Sequence, residues 1–95
     1  MIKIPTYDKE IILSHFQERL QERYKIHGDK VSLQKAFKKR LKFQYLDRFN
    51  TKLIHTYSRV VKKAYTTTYC GKTVLFVYDS EIDMVKTALT LREFD

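Results

Sequence analysis

The spacing of apolar residues changes character once along this 95-residue chain, and that change restricts the fold more than any other feature. Ile12, Phe16, Leu20 and Tyr24 recur at i+4 between Asp8 and about Tyr24, which places them on one stripe of an amphipathic helix. Asp8 is a suitable N-cap, and Gly28 supplies a stop signal. Ser32 then stands as the cap of a second helix, in which Leu33, Phe37, Leu41, Tyr45 and Phe49 repeat at i+4. From Tyr65 onward β-branched and aromatic residues dominate. Tyr65–Cys70 and Thr73–Tyr78 read as two strands joined by a Gly71-Lys72 turn, and Met84–Leu91 reads as a third antiparallel strand after the turn Asp79–Asp83. Between the two halves, Thr51–Ala64 carries Leu53, Ile54, Tyr57, Val60, Val61 and Ala64 at helical spacing, although Thr, Tyr and Val are good strand formers. The spacing predicts a third helix there. The expected class is α+β, with N-terminal helices packed on one face of a C-terminal antiparallel β-meander. Ninety-five residues suit a single domain, 1–95.

Charge is segregated as sharply as periodicity. Residues 31–63 hold ten Lys and Arg against one acid, Asp47, which is net +9 in a chain whose total is +8. Phe37, Phe43, Tyr45, Phe49 and Tyr57 are interleaved with those bases. Bases neutralise phosphates and release counterions while aromatic rings offer stacking planes, so the block suits a polyphosphate partner, a nucleic acid or the ribosome. Lys35, Lys38, Lys39, Arg40, Lys42, Lys62 and Lys63 are the candidate nucleic-acid-binding residues. Free use of Lys on solvated helix backs gives the same composition.

Two Gly, one Pro and 43% apolar residues argue against disorder, and no stretch approaches the roughly twenty apolar residues of a membrane span. A start of Met1-Ile2-Lys3-Ile4-Pro5 without an apolar leader, together with a single cysteine, Cys70, leads to the expectation of a cytoplasmic protein without a membrane partner. Neither metal nor cofactor is expected, since His15, His27 and His55 are scattered and no Cys pair or phosphate-cradling Gly loop exists.

His15-x-x-x-Arg19-x-x-x-Arg23 is the pattern that carries chemistry. Residues four apart stack along one helix face, so an imidazole and two guanidinia can project into one groove. An imidazole near neutral pKa moves protons, and a guanidinium clamps phosphate oxygens and opposes transition-state charge. Glu18 and Glu22 lie on the same helix, and a solvated His among charges is the simpler alternative.

That helix, a second helix opening with Ser, and the terminal run Tyr65-x-x-x-Tyr69-x-Gly71-Lys72-x-Val74-x-x-Val77-Tyr78-Asp79 with Val85-Lys86-Thr87-x-Leu89 resemble the superfamily of small ribonucleases that unites barnase, colicin-type tRNases and RelE-type toxins, in its phage and contact-toxin branch. The resemblance covers roughly residues 10–30 and 65–90. It implies two helices on a four-stranded antiparallel sheet and metal-independent RNA cleavage by 2′-hydroxyl attack. It further implies His15 as general acid or base, Arg19 and Arg23 as phosphate clamps, Thr87 as a partner of the scissile phosphate or of His15, and a possible cognate protein inhibitor. Some relatives carry Tyr where this chain has Leu89. The function expected is a metal-independent endoribonuclease or toxin-like RNA-cleaving protein. The alternatives are a non-enzymatic nucleic-acid-binding or regulatory protein on the same basic face, or a small inhibitor that meets an acidic partner.

Overall fold

The computed structural model describes residues 8–57 and 61–94. The first helix, α1 (Lys9–Tyr24), begins at Asp8, whose carboxylate accepts from the Glu10 amide at 2.9 Å. Its end differs from the expectation. Lys25, not Gly28, takes the left-handed conformation, at φ 58°, and its amide closes back on Gln21 O and Leu20 O. The Ile26 amide then reaches Leu20 O at 3.2 Å and the Ile26 side chain is buried, so an apolar residue seals the helix end. Gly28 answers a packing demand instead, since a Cβ there would meet Leu33 Cδ2 at 3.3 Å.

The second helix, α2 (Lys30–Lys42), is capped by Asp29 rather than Ser32, with Asp29 Oδ2 accepting from the Ser32 amide at 2.9 Å. That bond holds the Asp29 carboxyl below the usual carboxylate range. The helix ends before Tyr45 and Phe49. Lys39, Arg40 and Lys42 fill its last turn, where cations meet the negative end of the helix dipole. Phe49 belongs to a 3₁₀ turn, Asp47–Phe49, and Tyr45 is exposed.

Four antiparallel strands follow in simple order: β1 (Lys52–Thr56), β2 (Lys62–Tyr69), β3 (Lys72–Asp79) and β4 (Met84–Leu89). The third helix expected over 51–64 does not form. Its N-terminal part is β1, its last residues open β2, and residues 58–60 lie outside the described residues. Cross-strand pairing overrides the helical spacing here: Leu53 pairs with Tyr65 and His55 with Ala64, leaving Ile54 as the extra residue of a bulge. Cys70 (φ 52°) and Gly71 (φ 73°) form the β2–β3 turn, one residue earlier than expected. Two consecutive positive φ values are what a tight two-residue hairpin demands. β4 stops at Leu89, and Leu91–Phe94 forms one helical turn, α3.

Both helices pack on one face of the sheet. Phe37 sits at the centre of the core, edge-on to Phe16 (5.1 Å) and Phe76 (5.2 Å), with Leu20, Leu33, Val74, Val85 and Ala88 around it. A smaller cluster of Ala64, Leu75 and Val77 occupies the opposite face. The edge of β4 is covered by helix side chains. Gln34 from α2 donates to Val85 O (3.1 Å) and accepts from Val85 N (2.5 Å), standing in for a neighbouring strand. Arg23 donates to Ala88 O at 2.6 Å and Tyr24 to Leu89 O at 2.5 Å. Unpaired strand groups are thereby satisfied and shielded.

Candidate functional site

A one-residue slip in β4 builds the site. Thr87 pairs with Val77 and Val85 with Tyr78, so Lys86 has no partner on β3. Such a bulge turns the side chains beside it towards one face. Lys86 and Thr87 both line a cleft of about 540 Å³ on the sheet face opposite the core, with Val77 and Leu89 as its apolar floor. His15 from α1, Tyr57 after β1 and Lys62 at the start of β2 complete the wall. On α1, Phe16 turns into the core while its neighbour His15 reaches round the β4 edge.

His15 Nε2 lies 3.2 Å from Thr87 Oγ1, joining residues 72 positions apart. The imidazole is held below its ordinary pKa, first because burial penalises the charged form and then because Arg19 stands close by, with a smaller contribution from Arg23. His15 is therefore neutral at pH 7, with one nitrogen able to accept a proton. Lys62 and Lys86 make the mouth of the cleft cationic. Neutral base, hydroxyl and two ammonium groups together can bind a phosphate ester and remove a proton beside it.

Arg19 and Arg23 stand on the same helix face but outside the cleft lining. Arg19 donates to Glu22 Oε1 at 2.8 Å, and Arg23 donates to the β4 backbone. His55 lies on exposed β1, edge-on to Tyr57 at 4.6 Å, and does not line the cleft. Among the described residues no group of three or more His, Cys, Asp or Glu could hold a metal, and no helix is long and apolar enough to cross a membrane.

The seven candidate nucleic-acid residues divide into separate groups. Lys62 belongs to the cleft, while Lys63 is half-buried in register with Tyr78, whose ring packs against the core on the helix side of the sheet. Lys38 pairs with Asp83 at 2.9 Å, Lys39 and Lys42 are exposed at the end of α2, and Lys35 is exposed earlier on the same helix. Arg40 serves the fold. Its guanidinium lies 4.7 Å from the Phe49 ring centre and 4.8 Å from that of Tyr69, and it donates to Ala36 O and Thr68 O. Lys86 is the cleft cation to which sequence reasoning gave no role, while Tyr57 figured there only as one of the aromatics interleaved with the basic block. The three-residue spacing of the apolar residues Val85 and Ala88, both in the helix-side core where regular alternation gives a spacing of two, was the available signal of a bulge.

Compared with known proteins, the chain matches no family model, no curated protein and no solved structure.

Proposed function

We propose that this protein is a metal-independent endoribonuclease of the RelE and barnase type, acting on RNA or at the ribosome in the cytoplasm. The contact between His15 and Thr87 in a cationic cleft carries the reading. In this mechanism neutral His15 takes the proton of a ribose 2′-hydroxyl as its oxygen attacks the adjacent phosphorus. Lys62 and Lys86 oppose the charge that grows on the nonbridging oxygens, and Thr87 orients the imidazole. The 5′-oxygen leaves with a proton from solvent, and a 2′,3′-cyclic phosphate remains. The exposed bases of α2 hold the rest of the RNA backbone.

A second reading, binding without cleavage, draws on the contacts of Arg19 with Glu22 and of Arg23 with Ala88 O, since both guanidinia have partners outside the cleft. Purified protein incubated with total and structured RNAs separates the two. If the protein cleaves, His15→Ala lowers the rate by roughly 10² to 10⁴ with RNA affinity nearly unchanged, EDTA has no effect, and the fragments end in 2′,3′-cyclic phosphate. No cleavage of any RNA, or equal cleavage by wild type and His15→Ala, selects the binding-only reading.

A further inference from the structure

A second concavity, about 660 Å³, lies on the helix side of the sheet between the end of α2 and the β3–β4 turn. It falls within the range of about 300–1,000 Å³ common for small-ligand pockets. Lys39, Lys42, Phe43, Gln44, Tyr65 and Tyr78 line it together with Leu41 and the ion pair of Lys38 with Asp83, in which the one acid of the lining is already neutralised. Tyr65 marks it as more than a gap between elements. The residue is only 8% exposed, and its ring is fixed by stacking on Phe76 at 5.8 Å with 22° between planes. Its hydroxyl bonds to none of the described residues, and since none of their buried side-chain N or O atoms lacks a partner, that hydroxyl opens onto the solvent of the groove. The neighbouring Tyr78 hydroxyl, in contrast, donates to Asp83. Burial raises the pKa of Tyr65, so the hydroxyl stays protonated and is available as a donor. A buried, stacked ring that presents its hydroxyl to a polar groove gives a ligand a donor held in one position, exchanged for water on binding.

The surrounding groups say what that ligand is. Phe43 offers a flat apolar face, and Lys42 lies over that ring at 5.7 Å with its charge free of any acidic partner among the described residues. Lys39 is exposed at the rim. Gln44 donates to Leu41 O at 3.1 Å, which leaves its carbonyl oxygen as an acceptor. Two cations at the mouth, an aromatic wall, and a donor and an acceptor within match a phosphate, a planar base and the polar edge of that base.

We propose that this groove binds one unpaired nucleotide, with its phosphate at Lys39 and Lys42, its base against Phe43 and its base edge on the Tyr65 hydroxyl. The inference rests on the reading of the protein as an RNA binder, but not on cleavage. Concavity selects a splayed base over a duplex, whose edges are already paired. Register places both concavities at the same end of the sheet, because Tyr78 on the groove side is adjacent to Val77 on the cleft side. A strand crossing that end can reach both.

The test is titration of the isotope-labelled full chain with uridine or adenosine 5′-monophosphate, followed residue by residue by NMR. The expected result is shifts at Phe43, Gln44 and Tyr65. Tyr65→Phe, which keeps the ring, weakens binding about three- to tenfold, and Lys39→Ala with Lys42→Ala weakens it further while the melting temperature holds. Equal binding of inorganic phosphate overturns the base subsite, as does equal competition by a Glu-rich peptide or an unchanged affinity in Tyr65→Phe. Shifts confined to Lys62 and Thr87 overturn it as well, and leave the proposed cleavage standing. Groove binding with no cleavage of any RNA sinks the enzyme alone.

Discussion

Replacing Gln34 by Leu tests how β4 is held at the edge of the sheet. Gln34 is 6% exposed and Val85 is fully buried, so water has no route to the Val85 amide and carbonyl once the Gln34 side chain is gone. Each orphaned group costs about 1–3 kcal/mol, and burial of the new methyl groups returns part of that, leaving a net loss of about 2–4 kcal/mol. A domain of this size has about 5–15 kcal/mol in total, and each kcal/mol moves the melting temperature by about 4–8 °C. The expected fall is on the order of 10–30 °C by calorimetry, with a matching shift of the urea midpoint and faster hydrogen exchange at the Val85 amide. Gln34→Glu should be worse at pH 7 than at pH 4, because a carboxylate sets a charged acceptor against Val85 O whereas the protonated acid restores a donor. Exposed Gln21→Leu serves as control and should change stability by less than about 0.5 kcal/mol. A loss in Gln34→Leu no larger than this control would refute the idea that one amide replaces a missing strand.

Arg40→Lys should cost about 1–3 kcal/mol in urea unfolding, since an ammonium cannot lie flat between Phe49 and Tyr69 while bonding Thr68 O; equal stability would refute it. His15 has a folded pKa below its unfolded value near 6.5, so its contribution to stability is whole above pH 6.5 and is lost as pH falls through the lower folded value. His15→Gln should remove that part of the acid dependence, read as melting temperature between pH 7.5 and 5. Affinity for single-stranded RNA should fall by about 0.7 log units per log salt for each phosphate contacted, and Lys39→Glu with Lys42→Glu should flatten the slope by about 1.4. An unchanged slope would place the backbone elsewhere.

The helices and the meander were legible because their signals are local: Phe16 and Leu20 follow one helical stripe, and Tyr69 and Thr73 flank a turn that contains a glycine. The pairing of His15 with Thr87 was legible only as a resemblance, since nothing local in either segment specifies contact across 72 positions. Residues 51–64 misled for a physical reason. Leu53 and Ile54 have helical spacing, but β2 offers them a ladder, and the bulge at Ile54 leaves both apolar side chains exposed. Charge counting could not tell Arg40 from Lys39, although one guanidinium is stacked between rings and the other base stands in solvent. Capping by Asp29 rather than Ser32 was a choice between two good caps three residues apart, settled by where Leu33 and Phe37 must point.

Lys86 is surplus to the ladder. Without it Val85 would be followed by Thr87, and Tyr78, Val77, Phe76 and Leu75 would meet Val85, Thr87, Ala88 and Leu89 in unbroken succession. Every core residue would keep its face. Loss of a single codon would thus give a chain that still folds but lacks one cationic wall of its cleft, and gain of a codon at that point would restore it. The framework and the reactive surface can therefore diverge separately in descent, and a relative with the same helices and sheet but no residue at this position would have a differently charged cleft on an unaltered scaffold.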